Sequence, residues 1–452
     1  MKSILLKLLL LSAAAGLSSQ SQTLTTLVRF NGANGSDPVS ALVQGIDGNF
    51  YGTTFSGGAY NYGTVFRVTP EGRATTLHSF DLTDGANPQA ALVQGTDGNF
   101  YGTTSDLSVS LGCCSYSNDG TVFKITPEGV LTTLHTFMWT DGANPMASLV
   151  QGTDGDFYGT TPNGGLFNFS DGGGTVFKIT SQGVFTRLYR FNSRSYSPQN
   201  ALIQATNGNF YGTTEGGTIY EITPAGAFTQ LYLFPINESY DPMGGLIQAS
   251  NGNFYGTTSG NSKIFEITPA GVLTTLYSFD TTEGQTTYAG LVQATDGNFY
   301  GTTWNGGSNY LGTLFEITPS GVFTTLENFL GTNGNQPAAP LIQGTDGNFY
   351  GTTSSGGGGA NGGGTVFSLS TSLGPFVKML PPAGATGSVI RILGTNLIGA
   401  TGVTFNGIAA PFTVVSASEI TATVPAGATT GPVQVTTPSF TLLSNVAFLV
   451  NP

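Results

Sequence analysis

The chain has 452 residues, of which 39% are hydrophobic, 11% aromatic and only 8% charged, a balance that excludes global disorder. Its 67 glycines follow no three-residue period, which excludes collagen. Lys and Arg number 13 against 25 Asp and Glu, and the resulting −12 repels phosphate backbones, so no nucleic-acid partner is expected.

The first element in the chain is a targeting segment. Lys2 and Lys7 flank an apolar run from Ile4 to Leu11, and small residues follow from Ser12 to Gly16. This is the grammar of a secretory signal peptide, assigned to residues 1–19, and the run is far below the roughly 20 apolar residues that a membrane span needs. A secreted or cell-surface location is expected, with no transmembrane anchor. Without Lys2 and Lys7 the −12 chain becomes −14.

From about residue 20 to 371 the sequence repeats. Gly-Asn-Phe-Tyr-Gly-Thr-Thr recurs seven times, with Asp156 replacing Asn once, and places Tyr at 51, 101, 158, 211, 255, 300 and 350. A period of about 40–50 residues built from short strands points to propeller blades of four strands each. In the second repeat these are Ala91–Gln94, Asn99–Thr104, Gly120–Thr126 and Leu131–Phe137. Asp97-Gly98 and Thr126-Pro127-Glu128-Gly129 supply the turns between them, because Gly tolerates positive φ and Pro presets φ at the second turn position. The last repeat stops after Gly364-Thr365-Val366-Phe367 and lacks a Thr-Thr-Leu strand. Leu24-Thr25-Thr26-Leu27-Val28-Arg29-Phe30 supplies the missing one from the N-terminal side. The expected fold is therefore all-β: a seven-bladed propeller closed by an N-terminal strand, with no free sheet edge left at the seam.

After Ser372 the grammar changes. Residues 372–452 carry Gly394-Thr395-Asn396-Leu397, Val403-Thr404-Phe405-Asn406-Gly407 and Ile420-Thr421-Ala422-Thr423-Val424-Pro425, short strands that fit a small sandwich. These strings resemble IPT/TIG domains, which implies an immunoglobulin-like fold and an accessory role as spacer or interaction unit. The seven Phe-Tyr-Gly-Thr-Thr strings, with Gly-Thr-Val-Phe-Lys-Ile-Thr-Pro, resemble the GloVer tandem repeats of exported bacterial choice-of-anchor proteins. That resemblance covers about residues 22–370, implies no known activity and carries over no catalytic residue.

Few residues offer chemistry. His78 and His135 hold one repeat position that is Val28 or Glu327 in other copies, so they read as strand-surface residues. Asp47, Asp97, Asp154, Asp296 and Asp346 share a turn position that is Asn207 or Asn251 elsewhere, so turn geometry is their expected role. One third-strand position splits by sign, with Arg67, Lys124 and Lys178 followed by Glu221, Glu266 and Glu316, and reads as a solvated site. Cys113 and Cys114 are adjacent, and either a strained disulfide or an incidental pair fits an exported chain.

The connections between second and third strands, and those between blades, emerge on one face and vary, while the opposite face carries the repeated turns. Loops on a rigid scaffold are where recognition concentrates. Tyr60, Tyr62, Trp139, Trp304 and Tyr310 fall in these connections and are the candidate ligand-binding residues. The expectation is a non-catalytic, monomeric binding protein for extracellular polysaccharide or a surface protein, with no cofactor and no metal. The alternative is a propeller-fold lyase or glycosidase, drawing on Asp84, Asp141, Asp171, Glu215, Asp241 or Glu283.

Overall fold

The computed structural model describes residues 22–105, 119–165, 173–192, 197–235, 241–358 and 362–451. Every regular element among them is a strand. The expected signal peptide and Cys113–Cys114 lie outside the described residues.

Seven four-stranded antiparallel sheets follow one another along the chain. The first comprises Val43–Gln44, Phe50–Thr54, Thr64–Val68 and Ala74–Ser79. The seventh takes its outer strand from the other end of the chain, in the order Thr23–Arg29, Thr365–Ser370, Phe349–Thr353, Ile342–Gln343. Thr23 pairs with Ser370 and Arg29 with Thr365, so the seam is an ordinary antiparallel ladder interrupted by one bulge. The innermost strands are shorter than the sequence implies. Val93–Gln94 replaces the expected Ala91–Gln94, because the Ala91 amide leaves the ladder to donate to Ser148 Oγ of the next blade at 2.9 Å.

Each letter of the repeated string has a packing duty. Phe lies against the Tyr of the preceding blade: Tyr51 on Phe100, Tyr101 on Phe157, and so round to Phe50 on Tyr350, with centroids 3.9–4.3 Å apart. Gly makes room for the third-strand aromatic, since a Cβ at Gly102 would sit 2.6 Å from Phe123 Cζ. The first Thr donates to a carbonyl of the next blade, as Thr53 does to Ala90 at 3.1 Å. The second binds the Thr that opens the third strand, as Thr54 binds Thr64 at 2.8 Å. In blades 1, 2, 3, 6 and 7 these hydroxyls are buried and satisfied where they sit, whereas blade 4 leaves the buried Thr218 hydroxyl without a partner and blade 5 opens its third strand with Lys263.

A further ring runs around the axis. The inner-strand Gln of each blade accepts from a backbone amide of the blade before it: Ile46 to Gln94 at 2.9 Å, Thr96 to Gln151 at 3.0 Å, and onward to Thr345 with Gln44 at 3.0 Å. The last bond crosses the seam. Closure therefore rests on the N-terminal strand, the Phe50–Tyr350 stack and this Gln44 contact together.

The C-terminal unit is two four-stranded sheets and a parallel pair, Ala383–Ala385 with Leu449–Asn451. One is Lys378–Leu380, Val389–Leu393, Glu419–Thr423, Phe412–Val414; the other is Ile408–Ala409, Gly402–Phe405, Val433–Thr436, Thr441–Leu443. They enclose their own core, including Ile390, Ile392, Val403, Phe405, Ile420 and Val435. The unit docks on the repeated-turn face of the propeller. Ser418 Oγ donates to Ile46 O at 3.0 Å, Thr345 and Thr395 hydroxyls meet at 2.8 Å, and Lys378 Nζ donates to Gln343 O at 2.5 Å.

Candidate functional site

The repeated polar residues are spent on the scaffold, with two corrections to the sequence reading. The turn Asp shapes its turn through one oxygen, Oδ1 of Asp97 accepting the Asn99 amide at 3.1 Å, and uses the other to accept the Tyr101 hydroxyl at 2.8 Å. The third-strand position of alternating sign is the register partner of that Tyr, so it is wired into the turn and not merely solvated. In blade 3 the Lys178 ammonium lies 2.8 Å from Asp156 and 3.7 Å from Asp154. Where Asn207 and Asn251 replace the turn Asp, the carboxylate moves across the ladder. Tyr211 donates to Glu221 at 2.9 Å and Tyr255 to Glu266 at 2.7 Å, while each Asn donates to the Tyr oxygen. Blade 6 holds both acids, Asp296 and Glu316, and no third-strand cation. Burial first, then the neighbouring Asp296, raises the Glu316 carboxyl above its ordinary value.

The histidines are also not surface residues. His78 Nε2 lies 2.6 Å from Asp84, and both side chains are only about one-fifth exposed, at 22% and 20%. His135 stacks on Phe185 of the next blade at 4.0 Å, with Nε2 3.2 Å from Asp141. Tyr277 fills the same place in blade 5, stacked on Phe323 and hydrogen-bonded to Glu283. Asp84, Asp141 and Glu283 thus each lie beside the His or Tyr six residues before them, and in blades 2 and 5 that ring also stacks on a Phe of the next blade. Asp171 lies outside the described residues.

The variable face has two tiers. On the outer tier, Tyr60 and Tyr310 stand at the tips of the second-to-third-strand connections of blades 1 and 6, 58% and 74% exposed. Tyr62 instead packs on the blade core containing Val65 and Phe80. Trp139 sits half-buried between blades 2 and 3, its carbonyl accepting the Gly165 amide at 2.7 Å. These four stand at three separate places on the face: blade 1, the junction of blades 2 and 3, and blade 6.

The inner tier was missed. Two repeat positions meet at the axial end of this face: the residue after each Thr-Thr, and the residue four before each innermost strand. Three pairs show their adjacency. Gln89 Nε2 donates to Ser105 Oγ at 2.9 Å, Gln199 Nε2 to Glu215 at 2.7 Å, and Tyr288 meets Trp304 edge-on at 5.7 Å. Beside Glu215 lies Asp241, whose carboxyl is raised by burial first and then by the Glu215 charge. Trp304 thus belongs to the channel mouth, not to the outer tier. Among the described residues no group of three or more His, Cys, Asp or Glu is arranged to hold a metal. A concavity of about 290 Å³ on the C-terminal unit is lined by Asn396, Ile398, Ala417, Thr437, Pro438, Ser439 and Phe440, none of which titrates.

Fold and site together define a repeat propeller whose polar motif builds the ring and whose unlike loops crowd one face, joined to an immunoglobulin-like module. The chain belongs to the Gloeobacter/Verrucomicrobia repeat family, whose model matches residues 16–217, 112–294 and 259–405. An IPT/TIG domain matches residues 375–450. Among solved structures the chain is similar to a streptogramin B lyase, with 18% identity, a TM-score of 0.57, and 77% of this chain and 97% of that one covered. It is also similar to a catalytically inactive virginiamycin B lyase from Staphylococcus aureus with quinupristin, with 16% identity, a TM-score of 0.56, and 77% and 99% covered. At these identities the likeness is one of fold alone. No curated protein matches the chain.

Proposed function

We propose that this protein is exported and acts without catalysis, recognising extracellular polysaccharide through the variable-loop face of its propeller. The observation that carries this reading is the division of labour between the two kinds of residue. The recurring Phe, Tyr, Thr, Gln and turn acids are consumed inside or between blades. What differs from blade to blade is gathered on one face, and exposed aromatic rings stand there beside Asn and Ser. Such rings suit the apolar faces of sugars, and the polar neighbours suit their hydroxyls. The C-terminal unit, seated on the opposite face, leaves this one clear and serves as a spacer. A net charge of −14 after removal of Lys2 and Lys7 disfavours polyanionic ligands.

One observation favours a second reading, a propeller-fold carbohydrate-active enzyme: the Glu215–Asp241 pair, with one carboxyl held above its ordinary value. A single assay series tests both. The secreted protein is incubated with a panel of cell-wall and storage polysaccharides, and binding is read by pull-down while chain cleavage is read by release of reducing or unsaturated ends. Binding without release supports recognition. Release that Glu215→Gln abolishes would install the enzyme reading, and neither binding nor release by the wild type would end both.

A further inference from the structure

Resting on the recognition reading above, we infer that the sugar seat is the axial mouth of the channel on the variable face, along the arc of blades 4 to 6, and that it takes a saccharide unit bearing no carboxylate or sulfate. The five aromatic residues singled out by sequence are scattered, whereas this arc draws on the same end of three successive blades and is chemically mixed. At one end Tyr288, 39% exposed, meets the half-buried Trp304 at 5.7 Å with planes 75° apart, so two rings present an angled apolar wall. At the other end Glu215 is exposed and already oriented by Gln199 at 2.7 Å, leaving carboxylate lone pairs to accept ligand hydroxyls. Between them blade 5 contributes Asp241, which reinforces the negative charge.

The seven-fold comparison strengthens the assignment. The position after Thr-Thr is Ser105, Ser259 or Ser354 in three blades, but Glu215 and Trp304 in blades 4 and 6. A position required by the ring would repeat, as the inner Gln and both Thr do. This one lies at the end of an otherwise invariant strand, where backbone placement is rigid and the side chain is free to differ. Rigid backbone with variable chemistry is what a specific seat requires. Paired carboxylates accept hydroxyl or ammonium donors and repel uronates and sulfates, which fixes the ligand class.

The test uses full-length protein against immobilised cello-, chito-, manno- and galacturono-oligosaccharides. Four proteins are compared: wild type, Trp304→Ala with Tyr288→Ala, Glu215→Gln, and a control in the exposed turns of the opposite face, Val184→Ser with Val272→Ser. Thermal unfolding of each shows whether the fold is intact; Glu215→Gln keeps shape and so tests the seat independently of the ring truncations. We expect the wild type to bind a neutral or amino-sugar probe, the aromatic double variant to lose at least tenfold, Glu215→Gln to lose several-fold, and the control to stay within twofold. If the wild type binds such a probe and the mouth variants match it, the mouth assignment fails while saccharide recognition stands. Preference for galacturonate overturns the ligand class. A wild type that binds no probe overturns the recognition reading itself.

Discussion

The exchange between turn acid and third-strand charge makes a quantitative prediction. In blade 2, Asp97 accepts the Tyr101 hydroxyl at 2.8 Å and the Asn99 side chain at 2.7 Å, opposite Lys124. In blades 4 and 5 the same hydroxyl is held by Glu221 or Glu266, with Asn in the turn. Asp97→Asn alone leaves Tyr101 donating to no carboxylate. A hydrogen bond to a charged group is worth about 1.5–3 kcal/mol, and partial exposure of this site brings the cost to the lower end, about 1–2 kcal/mol. Lys124→Glu alone recreates the unrelieved two-acid arrangement of blade 6 and costs about 1 kcal/mol. The double variant reproduces the blade 4 wiring and returns to within about 0.5 kcal/mol of wild type, giving a coupling of about 1–3 kcal/mol. Urea unfolding of the four proteins measures the cycle, and amide exchange at Gly98 and Asn99 reports the turn directly. Additive losses, with the double variant the least stable of the four, would refute the wiring.

Other perturbations follow from the same contacts. Glu316 has a folded pKa raised by burial and by Asp296, so its ionised form destabilises the fold; Glu316→Gln should unfold at a higher temperature than wild type near pH 7, the gap closing as pH falls and the wild-type carboxyl is protonated. Deleting residues 22–31 removes the partner of Thr365–Ser370 and the buried Phe30, so the variant should melt lower and self-associate, as scattering would show; wild-type melting would contradict the seam. Lys378 is half-buried at the interdomain contact and its pKa falls to about 8, chiefly through loss of water around the ammonium. Protonation therefore opposes docking, and stability gained from this group grows as pH rises from about 8 toward the free-lysine value. Proteolysis of the 371–377 segment should slow over that range in wild type relative to Lys378→Met.

The ring itself was legible in the sequence because a repeat leaves its period in plain view. Seven Tyr positions marked the blades, and an unmatched Thr-Thr-Leu strand at the N-terminal end with a repeat lacking one at the other marked the seam. The wiring was present but hidden in joint variation. In the first three blades Asp turns face Arg67, Lys124 or Lys178, and in blades 4 and 5 Asn turns face Glu221 or Glu266, yet each position read singly looks like tolerance. The inner Gln recurs in all seven copies, and its value as an interblade clamp appears only when the next blade is placed beside it. His78 and His135 looked exposed for a related reason, since Phe185 covers His135 from a neighbouring blade about 50 residues on. The channel mouth was illegible. Tyr288 and Trp304 are 16 apart, Glu215 and Asp241 26 apart, and no motif spacing joins them; only the topology brings these positions to the axis.

The hydroxyl clasp between Thr54 and Thr64, repeated by Thr104 with Thr121, Thr161 with Thr175 and Thr353 with Thr365, bears on how such a protein can change over time. The clasp pins both feet of a connection at 2.8 Å whatever the chain does in between, and its spans already run from 10 to 17 positions. Lengthening a pinned loop is cheap, about 0.6 kcal/mol for each doubling of its residues. Insertions can therefore accumulate blade by blade without disturbing the stacked rings beneath them. The molecule is built to diversify on one side only, and a library of loops grafted between the five clasped pairs would inherit the same tolerance.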